Sequence, residues 1–203
     1  KDAHKLIEEF MLLANRAVAT YIFKMKKGEE KNTFVYRTHD LPNEEKLADF
    51  AQFAKQFGHQ LQFESSVVSK SLNKLMDEIE GKPEQNVLQS LAVRAMAKAK
   101  YTTDAKGHFG LAFDHYTHFT SPIRRYPDMM VHRLLQHYLD GGKSVSRKDY
   151  EDKCVHSSER EKRAADAERA SIKYKQVEFM SMAENKVFDG IITGVTDFGI
   201  FVE

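Results

Sequence analysis

The sequence predicts an α+β fold that is rich in helix and has a small β core. Several segments of the first hundred residues repeat apolar side chains at helical spacing. Residues 101–119, YTTDAKGHFGLAFDHYTHF, instead combine Thr, Gly and alternating aromatic residues, which is typical of strands and loops. The last segment, 187–203, alternates in polarity and turns at TDFG, which predicts two further strands.

Four helices and one strand are predicted before residue 100. The first helix spans 2–24, and its apolar face consists of Leu6, Ile7, Phe10, Leu13, Ala14, Ala17, Val18 and Tyr21. The strand is TFVYR, 33–37. The second helix follows HDLPN and ends at Gly58, with an apolar face of Leu47, Phe50, Ala51, Ala54 and Phe57. The third and fourth helices cover about 66–80 and 84–99, and we expect all four to contribute to the core.

Two helices are predicted in the second half of the chain. Pro127 suits the first turn of a helix that ends at DGGKS, residues 140–144. A long charged helix covers about 146–183, and its thin apolar stripe is too poor in Leu for a sustained coiled coil. We place a domain boundary near Asn185, which separates domains of residues 1–185 and 186–203.

Composition limits the possible classes of protein. Of the 203 residues, 41% are hydrophobic and 30% are charged, so the chain can form a core and is not a disordered tail. The net charge is only +1, but residues 94–133 hold seven Lys or Arg against three Asp, which could steer an anion. One cysteine suits a reducing compartment, so we expect a cytoplasmic protein. We find no membrane span or signal peptide, and because the chain lacks an initial Met and ends within a predicted strand, we expect a fragment.

The stretch HFTSPIRRYPD, residues 118–128, is the strongest candidate for a binding site. Arg124 and Arg125 offer planar donor groups that match phosphate oxygens, and a helix start adds unpaired N–H groups. The hydroxyls of Thr120 and Ser121 add donors, and the two prolines fix the backbone. The alternative is that the arginines bridge acidic neighbours, such as Asp114 or Asp128, to hold a turn.

Other candidate sites give weaker signals. A metal site at His108, Asp114, His115 and His118 lacks a recognised ligand spacing. Cys154 and His156 are two residues apart on a helix, so their side chains point apart and a nucleophilic pair is disfavoured. Phe198 and Phe201 could stack on bases as in OB-type modules, or could belong to a core.

The string HFGLAFDHYTHFTSPIRRYPDMMVHRLL, residues 108–135, closely resembles the catalytic domain of the ribonuclease II/ribonuclease R family. Segments LIEEFMLLANRAVA, FVYRTHDLPNEEKL and AADAERASIKY agree with this family in the same order, and DGIITGVTDFGIFVE resembles the start of its OB-type RNA-binding domain. The resemblance implies the helix-rich C-terminal half of a ribonuclease II-type catalytic domain with a β core, followed by the first strands of an OB-type β-barrel. It covers nearly the whole chain, with a looser match over 58–94.

The resemblance also implies an activity and residue roles. Members hydrolyse single-stranded RNA from its 3′ end to nucleoside 5′-monophosphates. Arg124 is then the catalytic arginine at the scissile phosphate, and Arg125 has a less exacting electrostatic role. Glu9 and Glu168 are implied to lie by the 3′-terminal nucleotides. The other expected RNA-binding residues are Tyr116, Ser121, Phe198 and Phe201.

One departure from the family pattern concerns the metal. The Mg²⁺-binding aspartates of the family lie upstream of the segment that matches residue 2, and Asp104, Asp114 and Asp128 stand singly here. We therefore expect no metal ligands in this chain, and expect it to be inactive alone. A non-catalytic RNA-binding module remains an alternative, and so does a helical interaction protein that docks through 146–183. No obligate protein partner is inferred.

Overall fold

A computed structural model describes residues 2–27, 30–62, 67–184, 187–190, 192–196 and 198–202. Its helices are α1 (Asp2–Lys24), α2 (Glu44–Gln56), α3 (Val68–Glu78), α4 (Gln85–Ala95), α5 (Tyr126–Leu139) and α6 (Arg147–Met182). Its strands are β1 (Lys26–Lys27), β2 (Glu30–Lys31), β3 (Tyr36–Thr38), β4 (Lys100–Thr102), β5 (Ile192–Thr196) and β6 (Gly199–Val202). The strands form three antiparallel pairs, β1–β2, β3–β4 and β5–β6, so the predicted α+β class is confirmed.

The first apolar core surrounds α5. Its buried members from that helix are Met130, Val131, Leu134 and Tyr138, and they pack with Ala19, Ile22, Phe34, Val35, Tyr36, Tyr101 and Cys154. This cluster joins the C-terminal half of α1 to the β3–β4 pair and to the start of α6. The predicted helix over 146–183 begins after Ser146, whose hydroxyl accepts from the Asp149 N–H, and ends before Ala183.

The second core is formed by α2, α3 and α4. Its buried residues are Leu47, Phe50, Ala54, Val68, Leu72, Leu75, Ile79, Leu88, Ala92 and Ala95. Asn43 caps α2 by accepting from the Lys46 N–H at 3.0 Å, as the HDLPN turn predicts. Phe57 is largely exposed and does not belong to this core, because α2 ends at Gln56.

The N-terminal half of α1 corrects the expectation that the whole helix contributes to the core. Leu6, Ile7, Phe10 and Leu13 are exposed, whereas Asn15, Ala19 and Ile22 are buried. The predicted bounds of the helix are confirmed, but only its C-terminal half contacts the described core.

The strand pair β3–β4 lies against α6. Tyr36 pairs with Thr102, and Thr38 pairs with Lys100. The Tyr101 N–H donates to the Ser158 hydroxyl at 2.9 Å, and the Thr103 N–H donates to Glu151 at 2.6 Å. These bonds attach the first half of α6 to the sheet.

The two predicted C-terminal strands form the β5–β6 hairpin. Its assignment to an OB-type barrel stays a prediction, and Asn185, where we placed the domain boundary, lies outside the described residues. Within the described part of the chain, no helix is both long enough and apolar enough to span a bilayer.

Candidate nucleic-acid interface

A groove of about 710 Å³ separates the SPIRRYP loop from α6. The residues that line it come from β4, from the loop and start of α5, and from α6: Tyr101, Arg124, Arg125, Tyr126, Pro127, His156, Ser157, Arg160, Glu161, Ala164, Ala165 and Glu168. The predicted residues Arg124, Arg125 and Glu168 therefore meet at one surface. The groove holds three arginines and two glutamates.

Arg124 lies on the open side of this groove. Its side chain is exposed, and within the described chain no hydrogen bond or ion pair engages its guanidinium group. Its backbone N–H donates to the Ser121 carbonyl at 3.3 Å, which closes a turn. A fixed backbone with an uncommitted guanidinium is suited to grip an anion from solution.

Arg125 bridges to an acidic neighbour and holds a turn, which is the alternative that the sequence left open. Its Nη2 donates to Asp128 Oδ2 at 2.8 Å, and its side chain is only 20% exposed. Arg125 thus lines the groove, but its guanidinium group is engaged by Asp128 and holds the turn. Its expected contact with RNA stays a prediction.

Ser121 takes part in the loop through hydrogen bonds of its backbone. Its N–H donates to Asp128 Oδ2 at 2.7 Å, and its carbonyl accepts from Arg124 and Arg125. The hydroxyl of Thr120 is buried and has no hydrogen-bond partner in the described chain. The hydroxyls of Thr120 and Ser121, which the sequence suggests as donors, therefore do not hold this loop in place.

Tyr116, an expected RNA contact, lies in the interior of the described chain. Its side chain is 4% exposed, and its hydroxyl accepts from Asn15 Nδ2 at 3.0 Å. Its ring contacts those of His108 and His118 edge to face. Burial in an aromatic cluster leaves no face on which a base could stack.

Glu9 and Asn15 lie on the same helix but in different surroundings. Asn15 is buried and its Oδ1 accepts from the N–H groups of Phe119 and Thr120, at 2.9 and 3.2 Å. Glu9 is exposed about two turns earlier and is not among the residues that line the groove. The structure therefore brings α1 to the loop through Asn15 and does not bring Glu9 to Arg124.

A bidentate ion pair fixes α6 beside the groove. Arg37 of β3 donates to both carboxylate oxygens of Glu161, at 2.6 and 3.2 Å, and its guanidinium lies 4.5 Å from the centre of the Tyr101 ring. Glu161 and Glu168 are about two turns apart on α6, and both line the groove. Glu168 itself forms no ion pair with any described residue.

Two partly buried histidines, His108 and His118, lie near the loop. Burial, reinforced by the charge of Arg125, lowers the pKa of His118 to about 3, and burial lowers the pKa of His108 to about 4. His118 Nδ1 lies 2.8 Å from the Tyr101 hydroxyl. No group of three His, Cys, Asp or Glu within the described ranges is placed to hold a metal ion.

Cys154 is a core residue. It is fully buried in the first apolar cluster, and burial raises the pKa of its thiol to about 12. A buried, protonated thiol is a poor nucleophile, which agrees with the sequence argument against a pair with His156.

Phe198 and Phe201 are exposed, by 100% and 61%, so the core interpretation of this pair is wrong for the described chain. Phe201 lines a second groove of about 980 Å³, between α6 and β6, together with Arg94, Arg169 and Lys173. Arg169 pairs with Asp166 at the surface. An aromatic ring beside three cations is a combination that suits single-stranded nucleic acid.

The protein thus combines an α+β fold with a groove lined by three arginines. The RNB domain family matches residues 1–141 of the chain. Ribonuclease R 1 of Lactococcus lactis is 42% identical over 207 residues, which cover 99% of this chain and 25% of that protein. The chain thus spans about a quarter of the length of the curated relatives that it matches.

The chain is also similar to proteins of known structure. RNase R of Mycoplasma genitalium in complex with ribose-methylated single-stranded RNA superposes with a TM-score of 0.85 and 30% identity, over 98% of this chain and 32% of that chain. Yeast Ssd1, described as a pseudonuclease, superposes with a TM-score of 0.64 and 25% identity, over 74% of this chain and 19% of its own. The chain belongs to the RNB domain family.

Proposed function

We propose that the chain is part of a processive 3′-to-5′ exoribonuclease that hydrolyses single-stranded RNA to nucleoside 5′-monophosphates. The observation that carries this proposal is the uncommitted guanidinium of Arg124 in the groove that Glu168 also lines. The names of the relatives support it, since they are ribonucleases R. The M. genitalium protein, to which the chain is similar, was solved with single-stranded RNA.

Arg124 acts on the charge that develops during the reaction. Attack of water on a phosphodiester increases negative charge on the phosphate oxygens and on the departing ribose oxygen. A guanidinium next to the phosphate stabilises this charge, and loss of such a group costs on the order of 10²- to 10³-fold in rate. Arg160 adds positive potential on the α6 side of the groove, which favours the RNA backbone.

We propose Mg²⁺ as the cofactor of the whole enzyme, where it would activate water and neutralise phosphate charge. The residues described here do not fit such an ion by themselves, because they include no cluster of three possible ligands. We propose, as the resemblance to the family implies, that the ligands belong to a part of the full-length protein outside this chain, and no step of the reaction is assigned to them here.

The proposal is tested by an assay on two proteins. The full-length protein should release nucleoside monophosphates from a single-stranded RNA in the presence of Mg²⁺, and the isolated 203-residue chain should not. Turnover by the isolated chain would contradict the proposal that the site is shared between this chain and the rest of the full-length protein. Absence of release by the full-length protein would contradict the activity itself.

A non-catalytic RNA-binding module is the second candidate. The similarity to a pseudonuclease favours it, because that protein has this fold. It predicts RNA binding by the full-length protein without product, so the same assay separates the two. A cytoplasmic location and the absence of an obligate protein partner remain predictions.

A further inference from the structure

The loop that carries Arg124 is held by buried side chains from two helices. Three successive N–H groups, those of residues 119–121, donate to side-chain oxygens instead of to a strand or helix ladder. Asn15 of α1 receives the first two, and Asp128 of α5 receives the third, at 2.7 Å. The side chains of Asn15 and Asp128 are 3% and 0% exposed.

Asp128 is connected to the backbone of Arg124 through a single residue. Asp128 Oδ2 accepts the Ser121 N–H, and the Ser121 carbonyl accepts the Arg124 N–H. The same Oδ2 also accepts from Arg125 Nη2, which closes a ring of contacts around residues 121–125. The Arg124 side chain is left outside this ring and lines the groove.

Holding a turn with the buried carboxylate of Asp128 costs free energy. Burial of a charged group is unfavourable unless it is well paired, and a buried ion pair contributes little net stability. Asp128 Oδ1 and Arg125 Nε are both buried and have no partner in the described chain, so even this pair is incompletely satisfied. The pair instead fixes the geometry of the turn. One charged oxygen of Asp128 accepts hydrogen bonds from both the Ser121 N–H and the Arg125 guanidinium.

We propose that Asp128 is a positioning residue for Arg124, an inference that rests on the function proposed above. Asp128 holds Ser121 and Arg125 so that the turn fixes the backbone position from which the Arg124 side chain enters the groove. A displacement of about 1 Å between a catalytic group and its target can lower a rate by about 100-fold. The proposed role therefore concerns the rate of the chemical step and leaves RNA binding nearly unchanged.

The test uses the full-length protein and two substitutions. Asp128→Ala removes both contacts and leaves Ser121 and Arg125 without their acceptor, which also destabilises the fold, so the gentler Asp128→Asn is made beside it. We expect kcat for release of nucleoside monophosphate to fall between about 10- and 100-fold in Asp128→Asn, with KM changed less than about twofold. Amide hydrogen exchange over residues 119–125 should accelerate in the same variant.

A double-mutant cycle separates positioning from a structural role. If Asp128 acts through Arg124, then Asp128→Asn should lower kcat no further in an Arg124→Ala background. Tyr138→Phe is the control, because it removes a buried hydrogen bond to the Thr33 carbonyl elsewhere in the first core. This control should lose stability but keep kcat.

The possible results distinguish the two proposals. An unchanged kcat in Asp128→Asn, or losses that multiply in the double variant, would overturn the positioning role while Arg124 remained essential. A full-length protein that releases no monophosphate, or an Arg124→Ala variant with normal kcat, would overturn the proposed function and the positioning role with it.

Discussion

Arg124 and Glu168 line the same groove, although one lies on a loop before α5 and the other lies near the middle of α6. The guanidinium is free to meet a phosphate, and the carboxylate can accept hydrogen bonds from ribose hydroxyls. Neither is paired with the other or with another described side chain. The groove thus keeps unpaired charges of both signs available, which is suited to a ligand that carries both anionic and donor groups.

The first prediction concerns the salt dependence of RNA binding. Each phosphate contact to a single strand contributes about 0.7 to the slope of log affinity against log salt concentration. Arg160→Gln should reduce this slope by about that amount, because Arg160 lines the groove. Lys98→Gln is the control, since it removes the same charge at an exposed position outside the grooves described here. Equal slopes in Arg160→Gln and wild type would remove Arg160 from the RNA path.

The second prediction concerns Phe201. Stacking of a base on an aromatic side chain is worth about 1–3 kcal/mol, so Phe201→Ala should weaken binding of single-stranded RNA by about 10-fold. Phe57→Ala is the control, because Phe57 is also partly exposed but lies on the α2 side of the molecule and not in this groove. Fluorescence anisotropy with a labelled RNA measures both. Comparable losses would show that Phe201 has no special role.

The third prediction concerns the ion pair of Arg37 with Glu161. Thermal unfolding of Arg37→Met, Glu161→Gln and the double variant should give a coupling free energy of about 1 kcal/mol, because the pair is bidentate and Arg37 is largely buried. The pair Lys100–Asp40 joins two exposed side chains, and its cycle should give a smaller value. A coupling no larger than that of Lys100–Asp40 would mean that Arg37 does not fix α6.

The fourth prediction concerns pH and His118. Because the folded protein holds the pKa of His118 near 3, well below its usual 6.5, the unfolded chain binds more protons between these values. The stabilising effect of a neutral His118 is therefore complete above about pH 6.5 and is lost as the pH falls toward 3.

The measurement for His118 is the free energy of unfolding against pH in wild type and His118→Asn. The variant should show a shallower decline below pH 6.5, because Asn does not titrate. His108, whose pKa is also lowered, provides a background common to both proteins. Parallel curves would show that His118 is not buried in its neutral form.

The limits of the first and last helices could be predicted because their signals are local, whereas α4 ends at Ala95 and not at the predicted residue 99. Residues 2–24 were predicted for α1 and are observed, and the long helix differs by one residue at each end, since Ser146 caps it. The same locality explains the turn after α5 and the start of α2 at Asn43.

The partners that build the site could not be predicted in the same way. Asn15 reaches Phe119, and Arg37 reaches Glu161, across more than a hundred residues of sequence, and no periodic pattern reports such contacts. One feature of the sequence does point to Asn15. It is a polar residue in the part of α1 that is otherwise buried through apolar residues. From the sequence we expect Tyr116 to bind RNA, but only packing shows that the aromatic ring faces inward.

The role of Arg124 in turnover is tested most directly by Arg124→Ala in the full-length protein, with kcat and the dissociation constant for single-stranded RNA measured on the same preparation. We expect kcat to fall on the order of 10²- to 10³-fold while the dissociation constant changes only a fewfold, because the guanidinium is needed most when charge develops on the phosphate. Equal losses in turnover and affinity would mean that Arg124 only binds RNA, and an unchanged kcat would contradict its place at the scissile phosphate.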